Sequence, residues 1–339
     1  MSGEEKRGTK GRGWCVWLGA IALLGAYGVV LLLPTPSAGG GGQTGWYEDT
    51  RASGVASADG TTSFFALPDG GRTQLLRIDR HDGEQRLRRL RIDGDLMVPA
   101  VAVDGTTGGL SSDGGTLVLV ERAPVIGRGQ TRMTLIDTSD ELKLKVSGRI
   151  RLKGDYSFDA ISPDGSNLYL THHTDPRDRR VYEVVSYDVG TGAMSEVLDS
   201  SVAEITMRGF PQTRATGHDG RWEYTLYDGS LELPFVHALD TVEGTAVCVG
   251  LDHLAGKNVA GASIEVGPSG VLSIANRRER PLAEIDASDW RVSDPRSTAA
   301  VGSPRDAAGA FTRADWAVGA ALLAGLGGLF GFWRATMDR

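Results

Sequence analysis

Residues 162–172 read Ser-Pro-Asp-Gly-Ser-Asn-Leu-Tyr-Leu-Thr-His, a tight turn that runs directly into an alternating strand. The turn has a physical basis. Pro presets φ, Asp bonds its own backbone, and Gly accepts the positive φ that other residues resist. Related turns stand at 57–60 (SADG), 111–114 (SSDG), 217–220 (GHDG) and 267–270 (GPSG), so the successive spacings are 54, 51, 55 and 50 residues. A second landmark follows each turn, an apolar residue and then Asp: Ile78-Asp79, Ile136-Asp137, Tyr187-Asp188, Leu239-Asp240 and Ile285-Asp286. Gly83, Gly192 and Gly244 lie four residues beyond three of these aspartates, which is hairpin-turn chemistry.

Between the landmarks the sequence is strand-like: TSFFAL at 62–67, TLVLVE at 116–121, NLYLTH at 167–172 and WEYTLY at 222–227. An all-strand unit of roughly 50 residues with two turns per copy suits one blade of a propeller, four antiparallel strands about an axis. A β-sandwich would not repeat at this period. The predicted fold is therefore all-β, a propeller of about six blades (range five to seven) over 46–292, flanked by two transmembrane α-helices.

The flanks carry the membrane expectation. Trp14 to Leu33 is twenty residues without a charge, the length that crosses a ~30 Å hydrocarbon layer. Lys6, Arg7, Lys10 and Arg12 precede it and no Lys or Arg occurs in 34–50, which places 1–13 in the cytoplasm. A cleaved signal peptide is the competing reading, but its apolar region is usually only ~7–15 residues long. Trp316 to Trp333 is a second uncharged stretch of eighteen residues with Trp at each end, followed by a short cytoplasmic tail, 334–339. Small residues at four-residue spacing (Ala22 and Ala26; Ala320, Ala324 and Gly328) suit close helix approach in lipid. Residues 34–45 and 293–315 read as linkers. Because the first and last blades of a closed propeller are neighbours, the two spans are expected to enter the bilayer side by side.

Composition narrows the function. The chain has 339 residues with 47 Gly, 2 Cys, 40% hydrophobic residues and net charge −7. Two cysteines exclude a disulfide scaffold and a Cys₄ metal site, and the acidic balance argues against nucleic acid as a partner. Gly40, Gly42 and Gly45 match G-x-G-x-x-G without a preceding strand or following helix, so they mark no dinucleotide site. Residues 250–257 fail the phosphate-loop spacing, and neither G-x-S-x-G nor a D-x-D-x-D-G calcium loop occurs.

The segment Ser162-Pro163-Asp164-Gly165 with Leu168-Tyr169-Leu170, then Tyr187-Asp188-Val189-Gly190-Thr191-Gly192, resembles the WD40-like propellers of the TolB and YncE type. Arg208-Gly209-Phe210-Pro211, Thr213-Arg214, Asp219-Gly220-Arg221-Trp222, Tyr224 to Tyr227 and Pro234 to Asp240 look like stretches of actinobacterial membrane-anchored proteins. The resemblance covers roughly 50–290. It implies the fold and a role as a binding platform; lactonases and dehydrogenases stand among such relatives, and no catalytic residue is carried over from them.

Candidate site residues are His172 and Asp175 beside a strand end, Arg214, Trp222 and Tyr224 (the last two on one strand face), and His237 in the strand FVHALD. His neighbours on a strand face opposite ways, so only one of His172 and His173 could join Asp175 in a metal set. A solvated loop for His172 and Asp175, a structural histidine for His237, and blade packing for Trp222 and Tyr224 are the competing readings. Cys248 in TAVCVGL reads as a core thiol. Arg86, Arg88, Arg89 and Arg91 form a basic strand suited to anionic headgroups or cell-wall polymer, or to a solvated edge that blocks sheet pairing.

The expected protein is a membrane-anchored propeller outside the cell membrane, with both termini cytoplasmic. It contacts the bilayer through its helices and binds a protein or cell-envelope partner. No cofactor or metal is expected. The alternatives are a lactonase or hydrolase using the axial funnel, and a scaffold subunit of a membrane complex.

Overall fold

The computed structural model describes residues 54–295 apart from 82, 123–128, 176 and 201–206. The stretches read as transmembrane, 14–33 and 316–333, lie outside the described residues, as do the linkers and tails. Among the described residues no helix is long and apolar enough to cross a membrane.

The described chain is a run of antiparallel sheets, one per sequence repeat. Sheet 1 holds β1 (Gly54–Ala56), β2 (Thr62–Asp69), β3 (Arg72–His81) and β4 (Glu84–Asp93) in that order. Sheet 2 holds β5 (Leu96–Met97), β6 (Thr116–Glu121), β7 (Gln130–Asp137) and β8 (Lys145–Lys153). Sheet 3 holds β9 (Tyr156–Ile161), β10 (Asn167–His173), β11 (Tyr182–Asp188) and β12 (Met194–Glu196). Sheet 4 holds β14 (Pro211–Thr216), β15 (Trp222–Tyr227), β16 (Phe235–Asp240) and β17 (Thr245–Gly250), with β13 (Leu198–Asp199) added parallel to β17. Sheet 5 holds β18 (Ser263–Val266), β19 (Val271–Ala275), β20 (Pro281–Asp286) and β21 (Arg291–Ser293). Five sheets stand among the described residues, within the expected range of five to seven blades. Each of the five turn landmarks lies between two successive strands of its own sheet (β1 and β2, β5 and β6, β9 and β10, β14 and β15, β18 and β19), and no sheet among the described residues lacks one.

The turns form as their residues dictate. Ser162 Oγ donates to Asp164 Oδ1 at 2.7 Å, and the Asn167 amide donates back to Ser162 Oγ at 2.9 Å. The same pair of bonds recurs with Ser57, Asp59 and Thr62, and with Ser111, Asp113 and Thr116. Gly165 sits at φ +72°, where a Cβ would be strained and would also lie 2.6 Å from Thr116 Oγ1 of the neighbouring sheet. The aspartate landmark falls at or near the end of the third strand in every sheet, before the hairpin to the fourth.

Successive sheets pack face to face. Phe64, Leu75, Leu117, Leu119 and Ile136 fill the space between sheets 1 and 2. Val118, Ile150, Phe158, Leu168 and Leu170 do the same between sheets 2 and 3. Tyr224, Leu226, Val236, Ile264, Leu272 and Ile285 join sheets 4 and 5. The space between sheets 3 and 4 differs. Its apolar groups are divided into two small clusters, around Tyr169 and Leu239 and around Tyr227 and Phe235. Polar side chains occupy much of the rest.

One further segment matters for function. Residues 98–110, between β5 and β6, contact the first strands of three other sheets. The Val103 amide donates to Pro211 O at 2.9 Å, and Thr107 Oγ1 donates to Gly54 O at 2.7 Å. A Cβ on Gly108 would lie 3.4 Å from the Phe158 ring. The segment therefore lies against strands of three sheets other than its own.

Candidate functional site

The polar seam between sheets 3 and 4 is the richest concentration of chemistry among the described residues, and strand alternation builds it. On β15, Trp222, Tyr224 and Leu226 turn to the sheet 5 core, so Glu223, Thr225 and Tyr227 turn to sheet 3. Arg214 pairs across from Thr225, Thr225 from His237, and His237 from Cys248, which makes one row across four strands. Cys248 Sγ lies 3.3 Å from Asp199 Oδ2 at the outer end of that row.

Arg214 anchors the inner end. Its guanidinium donates to Thr225 Oγ1 at 2.7 Å and to both the carbonyl and Oδ1 of Asp159 on β9. The two side chains are only 5% and 4% exposed, so this is a buried ion pair. Burial opposes the Arg214 cation, but the carboxylates of Asp159 and Glu223 outweigh it and its pKa rises. Asp159 Oδ2 is buried and accepts no hydrogen bond among the described residues, and the same holds for the Tyr182 hydroxyl. Tyr182 and Tyr227 have ring centroids 5.9 Å apart, and burial raises the pKa of Tyr182 well above its ordinary value. Glu223 is half-buried, with Thr216 Oγ1 donating to it at 3.0 Å. Burial pushes its carboxyl up to about 7, against the pull of Arg214.

Toward one end of the seam lies a hydrogen-bonded set on sheet 3. Ser157 Oγ is 2.9 Å from His173 Nε2, while His173 Nδ1 is 3.2 Å from the Arg179 carbonyl. A carbonyl only accepts, so Nδ1 carries the proton and Nε2 accepts from the Ser157 hydroxyl. The Arg179 guanidinium also donates to Ser157 Oγ, at 3.3 Å. Burial, helped by the Arg179 charge, lowers the His173 pKa to about 4 and keeps the ring neutral. A serine bonded to a neutral imidazole, with a cation beside its oxygen, has the local parts of an activated nucleophile.

The residues expected from sequence are dispersed. His172 lies within β10 and points away from His173; it stacks on Tyr156 at 4.5 Å and bonds Glu183 Oε1 through Nδ1 at 2.7 Å. Asp175 caps its own turn, accepting from the Arg177 amide at 2.8 Å. Trp222 stacks on Tyr224 at 6.1 Å and meets Trp290 of sheet 5 at 5.5 Å. His237 is buried edge-on to Tyr227, and burial lowers its pKa. Only Arg214 and His237 of the six share the seam. Among the described residues no three His, Cys, Asp or Glu side chains are grouped to hold a metal ion.

Ser157, Asp159 and Glu223 were not singled out from sequence. Their signal was present in YSFDAI and WEYTLY, where polar residues alternate with apolar ones on strands that bury both faces. A surface strand gives the same pattern, so the signal needed the neighbouring sheet to be read.

No family model matches the chain, and no curated protein matches it. Among solved structures, TolB from Acinetobacter baumannii is similar over 71% of this chain and 52% of its own, at 15% identity and TM-score 0.41. The periplasmic gluconolactonase PpgL of Pseudomonas aeruginosa is similar over 71% of this chain and 68% of its own, at 17% identity and TM-score 0.42. Prolyl oligopeptidase B from Galerina marginata is similar over 71% of this chain and 33% of its own, at 12% identity and TM-score 0.43. The chain thus spans about half of the TolB structure and a third of the oligopeptidase.

Proposed function

We propose that this protein is a membrane-anchored β-propeller on the extracytoplasmic side, acting as a binding platform for a protein or cell-envelope component. The apolar stretches at 14–33 and 316–333 and the basic residues before the first of them support the anchoring and its direction. The observation that carries binding over funnel chemistry is the segment 98–110. An enzyme working along the axis needs open room beside those strands, and a segment bonded to Pro211 and Gly54 and lying against Phe158 leaves less of it. Recognition is then left to the outer faces and rims of the sheets. Phosphatase fused within 34–45 tests the placement: activity outside the membrane is expected, and activity only in the cytoplasm overturns it.

One observation favours a second reading, a hydrolase. The Ser157–His173 bond with Arg179 alongside would let Ser157 attack a carbonyl carbon while His173 takes the hydroxyl proton and returns it to the leaving alcohol. Covalent labelling of the full chain by a fluorophosphonate, lost in Ser157→Ala and in His173→Ala, would establish this reading. An unlabelled chain removes it.

A further inference from the structure

The wedge between sheets 1 and 2 carries a charge opposite to the rest of the protein. The outer strands β4 and β8 together hold eight Lys and Arg against two acidic residues, in a chain whose net charge is −7. Three of the six lysines in the whole sequence, Lys143, Lys145 and Lys153, fall on or beside β8.

Register decides which way these side chains face. Arg77 pairs across from Arg88 and Asp79 from Arg86, so these four share a face of sheet 1 with Leu75 and Ile92, which belong to the core against sheet 2. The Arg77 guanidinium confirms the direction by reaching the carbonyls of Thr138 and Asp140 at 2.8 and 3.2 Å. On the opposing wall, Thr134 pairs with Arg149, Arg132 with Arg151, and Gln130 with Lys153. Leu119 pairs with Thr134 and lies in that same core, so Arg132, Arg149, Arg151 and Lys153 face sheet 1. The core between the two sheets thus gives way, toward the fourth strands, to cations on both walls, Arg86 and Arg88 on one and Arg149, Arg151 and Lys153 on the other. Arg86, Arg132, Arg149, Arg151 and Lys153 are exposed, Arg88 is half-buried, and Arg77 is buried.

The carboxylates on these walls are already engaged. Asp79 takes Arg77 at 2.8 Å, Glu84 takes Arg86 at 3.5 Å, and Glu121 takes Arg132 at 3.5 Å. Arg88, Arg149, Arg151 and Lys153 have no ion-pair partner among the described residues. Cations at alternate positions of one strand recur every ~6.6 Å, and β8 has them at 149, 151 and 153. Like charges held in a row without counter-charges destabilise the isolated protein, and a matching anion relieves that. Cations on two walls suit a chain lying between them better than a flat surface, and guanidinium pairs with phosphate in a bidentate manner.

We propose that the wedge between sheets 1 and 2 is a binding groove for a linear phosphodiester polyanion of the cell envelope. The envelope source rests on the extracytoplasmic reading above; the groove's affinity does not. The test titrates the full chain, in neutral detergent micelles, with poly(glycerol phosphate) by calorimetry. Saturable binding is expected, with log K falling against log salt at a slope of about −3, from four phosphate contacts at ~0.7 each. The triple variant Arg149→Glu, Arg151→Glu, Lys153→Glu should bind about 100-fold more weakly. A milder pair, Arg149→Gln with Lys153→Gln, should lose about 10-fold with unchanged thermal unfolding, which guards against a folding failure of the first. Arg278→Glu with Arg280→Glu, on exposed sites of sheet 5, should leave affinity unchanged. Absence of binding at millimolar polymer, or equal loss in the sheet 5 variant, overturns the groove. Mixed micelles containing phosphatidylglycerol that bind as tightly as the polymer overturn the linear ligand in favour of a lipid surface. A cytoplasmic propeller in the fusion assay overturns only the envelope source.

Discussion

Replacing Arg214 with Met tests the polar seam at its most buried point. The substitution removes the cation from a pair whose side chains are 5% and 4% exposed and leaves Asp159 with both oxygens unpaired. Breaking a buried pair from one side costs ~3–5 kcal/mol, because the remaining charge stays desolvated. At a urea slope of ~2–3 kcal/mol per M, that lowers the unfolding midpoint by about 1–2.5 M. Asp159→Asn in the same background removes the stranded charge and should recover more than half of the loss. Urea unfolding followed by tryptophan emission, with Trp222 and Trp290 reporting on the adjoining face of sheet 4, gives the four corners of the cycle. A loss below 1 kcal/mol for Arg214→Met, or a double variant equal to the sum of the singles, would refute the assignment of the seam as a desolvated electrostatic unit.

Two groups in and beside the seam give opposite pH signatures. Glu223 titrates at about 7 in the folded protein against an ordinary value of 4.5, so it contributes stability at low pH that is lost as pH rises from about 4.5 to 7; Glu223→Gln should gain on wild type across that window, modestly, since the group is half-buried. His173 titrates at about 4 against 6.5, so its contribution is lost as pH falls from 6.5 to 4, and His173→Gln should gain on wild type in that direction. Melting temperatures at pH 4.5, 5.5, 6.5 and 7.5 check both, and parallel curves for variant and wild type would contradict the shifts. Gly165→Ala places a Cβ at φ +72° and 2.6 Å from Thr116 Oγ1, so a loss of about 2 kcal/mol in urea unfolding is expected, and a neutral result would show that the turn does not hold sheets 2 and 3 together.

The sheets were legible because their punctuation is chemical. Ser, Asp and Gly at fixed offsets bond one another within a few residues, so the turn at 162–167 is written locally and recurs in phase with Asp188 and its counterparts. Blade number was less legible, since counting depends on whether atypical terminal repeats are present; the five sheets among the described residues lie within the expected range of five to seven. The seam was the least legible. Arg214 and Asp159 are 55 residues apart in sequence and meet only because sheets 3 and 4 stack. His172 drew attention by its neighbours in sequence, yet its ring stacks on Tyr156 and its strand partner is Glu183, while the adjacent His173 meets the serine. Adjacent residues on a strand serve different faces, so proximity in sequence was the wrong guide there.

We propose above that the propeller stands outside the cell membrane, and its exposed lysines can test that placement directly. Lys143, Lys145 and Lys153 are exposed on the described surface, and they supply a direct reporter. A membrane-impermeant amine reagent applied to intact cells, followed by peptide mass spectrometry, should modify all three before lysis. Modification of these lysines only after the membrane is opened would contradict the account.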